Sequence, residues 1–389
     1  MNQQRALDLV MRLMAVPGKS CQEQAIAATV REIVLQAGVP EEAIQFDTAH
    51  RKTPQAGEVG NLIVKLPGTV RKPRIMLSAH LDTVPICVGC QPKKVGQTIR
   101  SANPQTGLGG DDRAGVAAVL IGLLETLESG QPYPPLTLCF FVQEEIGLQG
   151  SRQLGVAKLG KPSMAFNFDG GDPFKLTIGA TGGERLKIAL HGLPAHAGLA
   201  PEAGASAIHA AGVAIAALQK AGWLGRVHKQ RKEGTSNIGV IQGGSATNVV
   251  ADLVELQAEA RSHDSSFRDQ IATAIEQAFH AAAAQIVSSN GTAVRAEVER
   301  RVDYDSFRLS DDQPAVKIAT AAVAESGGTA TLAVSNGGVD ANWLVQHGIP
   351  TVTLGCGQRQ VHTKSETLDI PDFLRGCQIA RSLISHASR

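Results

Sequence analysis

Apolar positions along this chain recur in two alternating rhythms, one helical and one extended. "LDLVMRLMAV" (7–16) and "QEQAIAATVREIVLQAG" (22–38) space their apolar residues as helices do, and Ser20 with Glu23 fits a capping box opening the second helix. "GNLIVKLPG" (60–68) and "PRIMLSAH" (73–80) read as strands bounded by Gly or Pro. "RAGVAAVLIGLLETLESG" (113–130) is apolar enough for a largely buried helix that stops at a glycine. "PLTLCFFVQEE" (135–145) and "MAFNFDGG" (164–171) are further buried strands. This alternation predicts an α/β layered domain on a mainly parallel sheet.

Near residue 180 the texture changes. "KLTIGATGGERLKIALHG" (175–192) predicts one long, half-buried strand of an antiparallel sheet. A helix at 206–221, strands at 236–244 and 252–263, a helix at 267–289 and a strand at 292–302 follow. That order is β-α-β-β-α-β, the ferredoxin-like arrangement. Helix, strand and helix then return at 315–328, 349–355 and 371–387. The expected organisation is an α/β domain built from 1–179 and 302–389, interrupted by a smaller α+β domain at 180–301.

Size and charge fit that picture. At 389 residues the chain exceeds the roughly 250–300 at which one core stops growing. A net charge of +1 and 4% aromatic residues offer neither a field nor stacking platforms for nucleic acid, so no such partner is expected. No apolar run approaches the ~18 residues of a membrane span, so no membrane partner is expected either. The amino-terminal stretch lacks a basic-then-apolar leader, and six scattered cysteines suit reduced thiols. A cytoplasmic location is expected.

Chemistry gathers where strands stop. His80 and Asp82 end one strand, and Glu144 and Glu145 end another. Asp169 ends a third, and His362 follows the strand at 349–355. Asp111 and Asp112 precede the buried helix. Ligands collect at the carboxyl ends of parallel strands. Like charges crowded there repel and shift one another's pKa values, a cost that cations remove. Imidazole and carboxylate donors without thiolate suit zinc, manganese or cobalt. There are more donors than one ion needs, which points to a pair of divalent ions sharing a carboxylate.

"SAHLDTVP", "GGDDRAGVAA", "QEEIGLQGS", "NFDGG", "PAHAGLAPEAGASAI", "SNGGVDANWL" and "VHTKSE" occur in that order. Together they resemble the M20 family of dinuclear metallopeptidases, most of all its tripeptidase-like branch, over about 5–385. The resemblance implies that His80 and Asp169 hold one metal, that Glu145 and His362 hold the other, and that Asp111 bridges them. The peptide bond after the bridging acid is often cis in that family. Asp82 would orient His80, and Glu144 would be the general base toward a hydroxide held between the ions. His196 would donate to the oxyanion, from across a dimer formed by the inserted domain. Asn248 and Arg261 match substrate-contacting positions, and Arg261 could grip a terminal carboxylate. Arg113 departs from the lysine usual after the acid pair, a change that preserves charge.

The implied activity is hydrolysis of short peptides, with release of the amino-terminal residue of a tripeptide. A carboxypeptidase or an N-acyl-amino-acid deacylase would use the same site, and an inactive peptide-binding protein is the alternative of another class. "CVGC" gives Cys87 and Cys90 the spacing of half a zinc or redox site, but no second pair follows. No G-x-S-x-G elbow is present for a serine hydrolase. Asp340, in "SNGGVDANWL", receives no role, because glycine-rich turns often use Asp locally.

Overall fold

The strand Ile75–His80 buries all six of its residues, so it needs a neighbour on both edges and cover on both faces. It pairs in parallel with Leu136–Phe141 on one side and with Met164–Phe168 on the other. Thr351–Leu354 continues the parallel run beyond Met164–Phe168. The computed structural model describes residues 1–388. In it these strands form the centre of a sheet ordered Ile44–Phe46, Leu62–Leu66, Leu136–Phe141, Ile75–His80, Met164–Phe168, Thr351–Leu354 and Lys175–Ala180.

The sheet is mixed rather than uniformly parallel. Leu62–Leu66 runs antiparallel to Leu136–Phe141, and Lys175–Ala180 runs antiparallel to Thr351–Leu354. Parallel pairing needs a long crossover, whereas flanking strands reached by other routes are free of that constraint. Phe140, Phe141, Phe166 and Phe168 are fully buried in this layer. Each contributes roughly 1.5–3 kcal/mol of transfer free energy. The helix Gly110–Ser129 packs against the sheet and ends at Gly130, whose φ is +62°. A Cβ on Gly122 would lie 3.0 Å from the Cβ of Ala380, so glycine there lets the helix Ile370–Ser388 approach closely.

The chain divides into two units. One comprises Met1–Gly179, Arg308–Ser335 and Val339–Arg389, the other Ala180–Phe307 with Asn336–Gly338. The second unit has a five-stranded antiparallel sheet ordered Gly225–Lys229, Lys232–Gly243, Leu253–Ser262, Gly182–His191, Arg295–Tyr304. Without the first of these strands, the order is that of a ferredoxin-like β-α-β-β-α-β unit. Leu186, Ile188, Leu190, Val254 and Leu256 face a core shared with Ile271, Ile275 and Phe279 of the helix Ser265–Gln285. The alternate residues Lys187, Glu255 and Gln257 are exposed, the period-2 pattern of a sheet covered on one face.

Several sequence expectations change. The stretch 175–192 is not one strand: it breaks at Thr181 into Lys175–Ala180 and Gly182–His191, which belong to different sheets. Alternation alone does not reveal such a break, because both halves keep the same period. The spacer after Cys87 contains a hairpin, Pro92–Val95 with Thr98–Ser101. Gly225–Lys229 adds an edge strand that the periodicity did not announce. Ser20 and Glu23 do not form a capping box: neither side chain caps the helix Gln24–Gln36, and both are engaged elsewhere. No helix among the described residues is long and apolar enough to cross a membrane.

Candidate metal centre

Parallel register delivers the chemistry to one edge. His80 is opposite Phe141, Ser78 opposite Asn167, and Phe168 opposite Leu354. The residues just beyond these pairs include Glu144, Glu145 and Asp169, with His362 further along its loop at φ +63°. Asp111 enters from the start of the helix Gly110–Ser129, where the backbone of Asp111 and Asp112 is not yet helical. The Asp111–Asp112 peptide bond is cis. A Cβ on Gly115 would lie 2.1 Å from the carbonyl oxygen of Phe168 and 2.3 Å from Asp112 Oδ1, so only glycine allows this approach.

Asp111 stands between the two histidines. Its Oδ1 is 3.1 Å from His80 Nε2 and its Oδ2 is 3.2 Å from His362 Nε2. His362 Nε2 is also 2.8 Å from Glu145 Oε2. His80 Nε2 is 3.9 Å from Asp169 Oδ1 and 4.0 Å from Glu144 Oε2. His80, Asp111 and Glu145 offer donor atoms all within 4.8 Å of one another, as do His80, Asp112 and Asp169. Asp112 is already committed. It accepts the His80 N–H at 3.1 Å, the Gly115 N–H at 3.1 Å and Gln358 Nε2 at 2.8 Å.

The donor set fits a divalent cation. His80 Nδ1 lies 3.0 Å from the carbonyl oxygen of Asp82, a contact that assigns the ring proton to Nδ1. Nε2 then presents a lone pair toward carboxylate oxygens, an arrangement that only a proton or a metal ion between them makes favourable. The electrostatics agree. Burial, reinforced by Asp111, pushes Asp169 up to about 8, and burial raises Glu144 well above the usual carboxylate range. Hydrogen bonds to Asp111 and Glu145 raise His362 to about 10. Burial opposes ionisation of Asp111 as well, but the two imidazoles more than offset it and hold its carboxyl low. These shifts are those of acids and imidazoles crowded together, a crowding that a bound cation would relieve.

Asp82 connects several of these groups. Its carboxylate lies 3.4 Å from His80 Nδ1. Oδ1 accepts the N–H of Glu144 at 2.9 Å, while Oδ2 accepts that of Glu145 at 3.2 Å and Ser20 Oγ at 2.7 Å. The buried Arg113 guanidinium donates to the carbonyls of Leu81, Gly18 and Val16, and burial lowers its pKa to about 10.

Sequence reasoning missed four contributors. Glu366 accepts the N–H groups of Leu108, Gly109 and Asp111, and Gln358 binds Asp112. Ser20 reaches Asp82, and Glu23 accepts the N–H of Gln143. Glu366 lay inside a recognised motif; Ser20 and Glu23 were visible but read as a helix cap. Cys87 and Cys90 are buried, and Cys87 Sγ is 3.5 Å from Glu366 Oε2. Burial pushes the Cys90 thiol up to about 11. Asp340 is buried as well, and burial raises its carboxyl to about 7.

The remaining expected residues lie in the second unit. His196 is exposed and its Nδ1 accepts the N–H groups of Gly198 and Leu199, both at 3.2 Å. A neutral His196 therefore carries its proton on Nε2. Asn248 is its near neighbour: the Ala197 N–H donates to the Asn248 carbonyl at 2.9 Å, and His196 bridges to Val249. Arg261 does not present a free fork. Its Nε and NH2 donate to the two oxygens of Glu259 at 3.0 and 2.9 Å.

Known proteins share this architecture. A tripeptidase from Staphylococcus aureus subsp. aureus Mu50 is 31% identical with a TM-score of 0.90, covering 100% of this chain and 99% of its own. The aminopeptidase PepT of Bacillus cereus ATCC 10987 is 30% identical with a TM-score of 0.86 over 100% of both chains. The uncharacterized protein YqjE of Bacillus subtilis (strain 168) is 32% identical over 100% of both sequences. An Aspergillus clavatus protein named as a probable carboxypeptidase is 32% identical over 61% of this chain and 56% of its own length. The profile of peptidase family M20/M25/M40 matches residues 76–386. This chain, with its imidazole and carboxylate cluster at the strand ends, belongs to that peptidase family.

Proposed function

We propose that this peptidase releases the amino-terminal residue of short peptides, tripeptides above all, using two divalent ions. The observation that carries the two-ion reading is Asp111, one oxygen of which faces His80 while the other faces His362. His80 and Asp169 would hold one ion, Glu145 and His362 the other, with Asp111 shared. Zinc suits these donors best, with manganese or cobalt as substitutes. When bound, the ions polarise the scissile carbonyl and acidify the attacking water.

The chain's own groups supply the rest. Glu144, raised by burial above the usual carboxylate range and 4.0 Å from His80 Nε2, is the base that takes a proton and returns it to the leaving amine. Asp82 holds the backbone of Glu144 and Glu145 and faces the His80 ring, so it positions base and ligands together. His196, with its proton on Nε2, is the donor to the developing oxyanion, and Asn248 is a substrate contact beside it. Arg261 binds the terminal carboxylate once that carboxylate displaces Glu259. The protein works as a cytoplasmic homodimer joined through its second unit. Exposed Ile208 and Val213 on the helix Ala207–Lys220 favour such an interface, as does the outer edge of Lys232–Gly243, paired with Gly225–Lys229 only as far as Ser236.

Full-length similarity to a tripeptidase and an aminopeptidase supports this substrate class. The partial match to a named carboxypeptidase favours a second reading, cleavage at the other end. A panel of free tripeptides, N-blocked dipeptides and N-acetyl amino acids separates them. Turnover confined to free tripeptides is expected; turnover confined to blocked substrates would replace the proposal with a carboxypeptidase or deacylase.

A further inference from the structure

Beyond Phe141 the chain must turn sharply to present Glu144 and Glu145. Gln143 makes that turn at φ +55°, in the left-handed region that disfavours any residue with a Cβ. Its side chain is fully buried. Three consecutive backbone N–H groups along the turn point at two carboxylates. Gln143 donates to Glu23 Oε1 at 3.0 Å, Glu144 to Asp82 Oδ1 at 2.9 Å, and Glu145 to Asp82 Oδ2 at 3.2 Å. The same Glu23 oxygen accepts the Cys21 N–H at 2.8 Å.

Glu23 has no solvent exposure. A carboxylate is costly to bury, and nothing about a helix start requires it. Glu23 does not cap the helix Gln24–Gln36 with its side chain; the first helical N–H, on Gln24, is accepted by Glu58 Oε2 at 3.3 Å. What the buried carboxylate does achieve is a second fixed acceptor for the turn, one residue before the pair held by Asp82. Strained backbone persists where its surroundings over-determine it, and here two carboxylates from distant parts of the sequence do so.

We propose that Glu23 is a positioning residue: with Asp82 it locks Gln143 in its left-handed turn and thereby aims Glu145 at the metal and Glu144 at the scissile bond. The inference rests on the assignment of Glu144 as base and Glu145 as ligand, and it adds a residue outside the motifs that mark the site.

The test uses full-length protein carrying Glu23→Ala, Glu23→Asp or Glu23→Gln, and the double variant Glu23→Ala/Gln143→Gly. Turnover of a free tripeptide and the affinity for Mn2+ by calorimetric titration are both read. Outer partners of metal ligands typically carry about 10–100-fold in affinity or activity, and a loss of that order is expected for Glu23→Ala in both kcat and the weaker Mn2+ affinity. KM should stay within about twofold, since the substrate is not touched. Glu23→Asp, which keeps the charge but withdraws the acceptor, should behave like Glu23→Ala. Glu23→Gln keeps an oxygen for both N–H groups and should restore most of the activity. Gln143→Gly, which enters the left-handed region freely, should recover part of the loss in the Glu23→Ala background. Glu23→Asp binding Mn2+ and turning over like the parent would overturn the proposal, even if Glu23→Ala fails to fold. So would a Glu23→Ala protein that melts earlier but keeps its Mn2+ affinity and kcat. Glu144→Gln run in parallel separates the two levels. If it stays active, the assignment of the base fails; if it is inactive while every Glu23 variant behaves like the parent, only the role of Glu23 fails.

Discussion

Glu366 accepts the backbone N–H of Asp111 at 3.0 Å across 255 residues of sequence. Its second oxygen takes the N–H groups of Leu108 and Gly109 at 2.9 and 2.7 Å, so one carboxylate holds the whole approach to the acid that stands between the two histidines. Every partner is a donor, and an amide nitrogen would face at least one of them. Glu366→Gln should therefore cost about 1–3 kcal/mol of stability, the usual penalty for leaving a buried group unsatisfied. It should also weaken metal binding by roughly 10–100-fold. Thermal melting of the metal-free protein and metal titration check the two effects separately, and unchanged values in both would remove Glu366 from the frame of the site.

Glu144 is the group assigned to proton transfer. Glu144→Gln keeps size and hydrogen-bonding capacity but cannot accept a proton. General base catalysis typically contributes about 10²–10⁴-fold, so kcat should fall by at least that range while metal content, read by elemental analysis, stays at the parent level. A metal-loaded Glu144→Gln enzyme with parental kcat would disqualify it as the base.

Buried acids give the metal-free protein a pH signature. Burial raises Glu23 to about 7, Asp340 to about 7 and Asp169 to about 8. Unfolding returns each to about 4, so the folded state binds these protons more tightly. That contribution is complete below about pH 4 and is lost as pH rises through 7 to 8. The melting temperature of metal-free protein should therefore decline between about pH 5 and 8, and added zinc or manganese should recover most at the alkaline end, where it replaces the missing protons. A metal-free melting temperature that climbs over this interval would contradict the assignment of these groups as buried acids.

The proposed homodimer is open to a direct check by sedimentation. A dimer is expected, and Ile208→Glu with Val213→Glu on the exposed helix face should dissociate it at low micromolar protein. A parent that sediments as a monomer at full activity would exclude any contribution of His196 across subunits.

Much of this fold was legible in the chain because its strands are extreme. "LTLCFFV" and "IMLSA" each hold a single polar residue, so parallel, doubly covered strands were the natural expectation, and the acids and histidines at their ends marked the candidate site. The flanking antiparallel strands were less legible, since Leu62–Leu66 carries the same apolar pattern in either direction. The break at Thr181 was hidden for a similar reason: alternation continues across it while the chain passes from one sheet to another. At the site, the ligand candidates declared themselves by type and position, but their supports did not. Glu23 and Ser20 have the spacing of a helix cap, and only the three-dimensional structure sends them to Gln143 and Asp82. Arg261 has a partner that its position in the sequence did not announce. An arginine expected to offer an open fork is already clasped by Glu259, two residues away on the same strand face.

Anomalous diffraction from crystals grown with excess zinc or manganese tests the central claim most directly. Two peaks are predicted, one among His80, Asp111 and Asp169 and the other among Asp111, Glu145 and His362. A single peak, or peaks away from Asp111, would contradict the account.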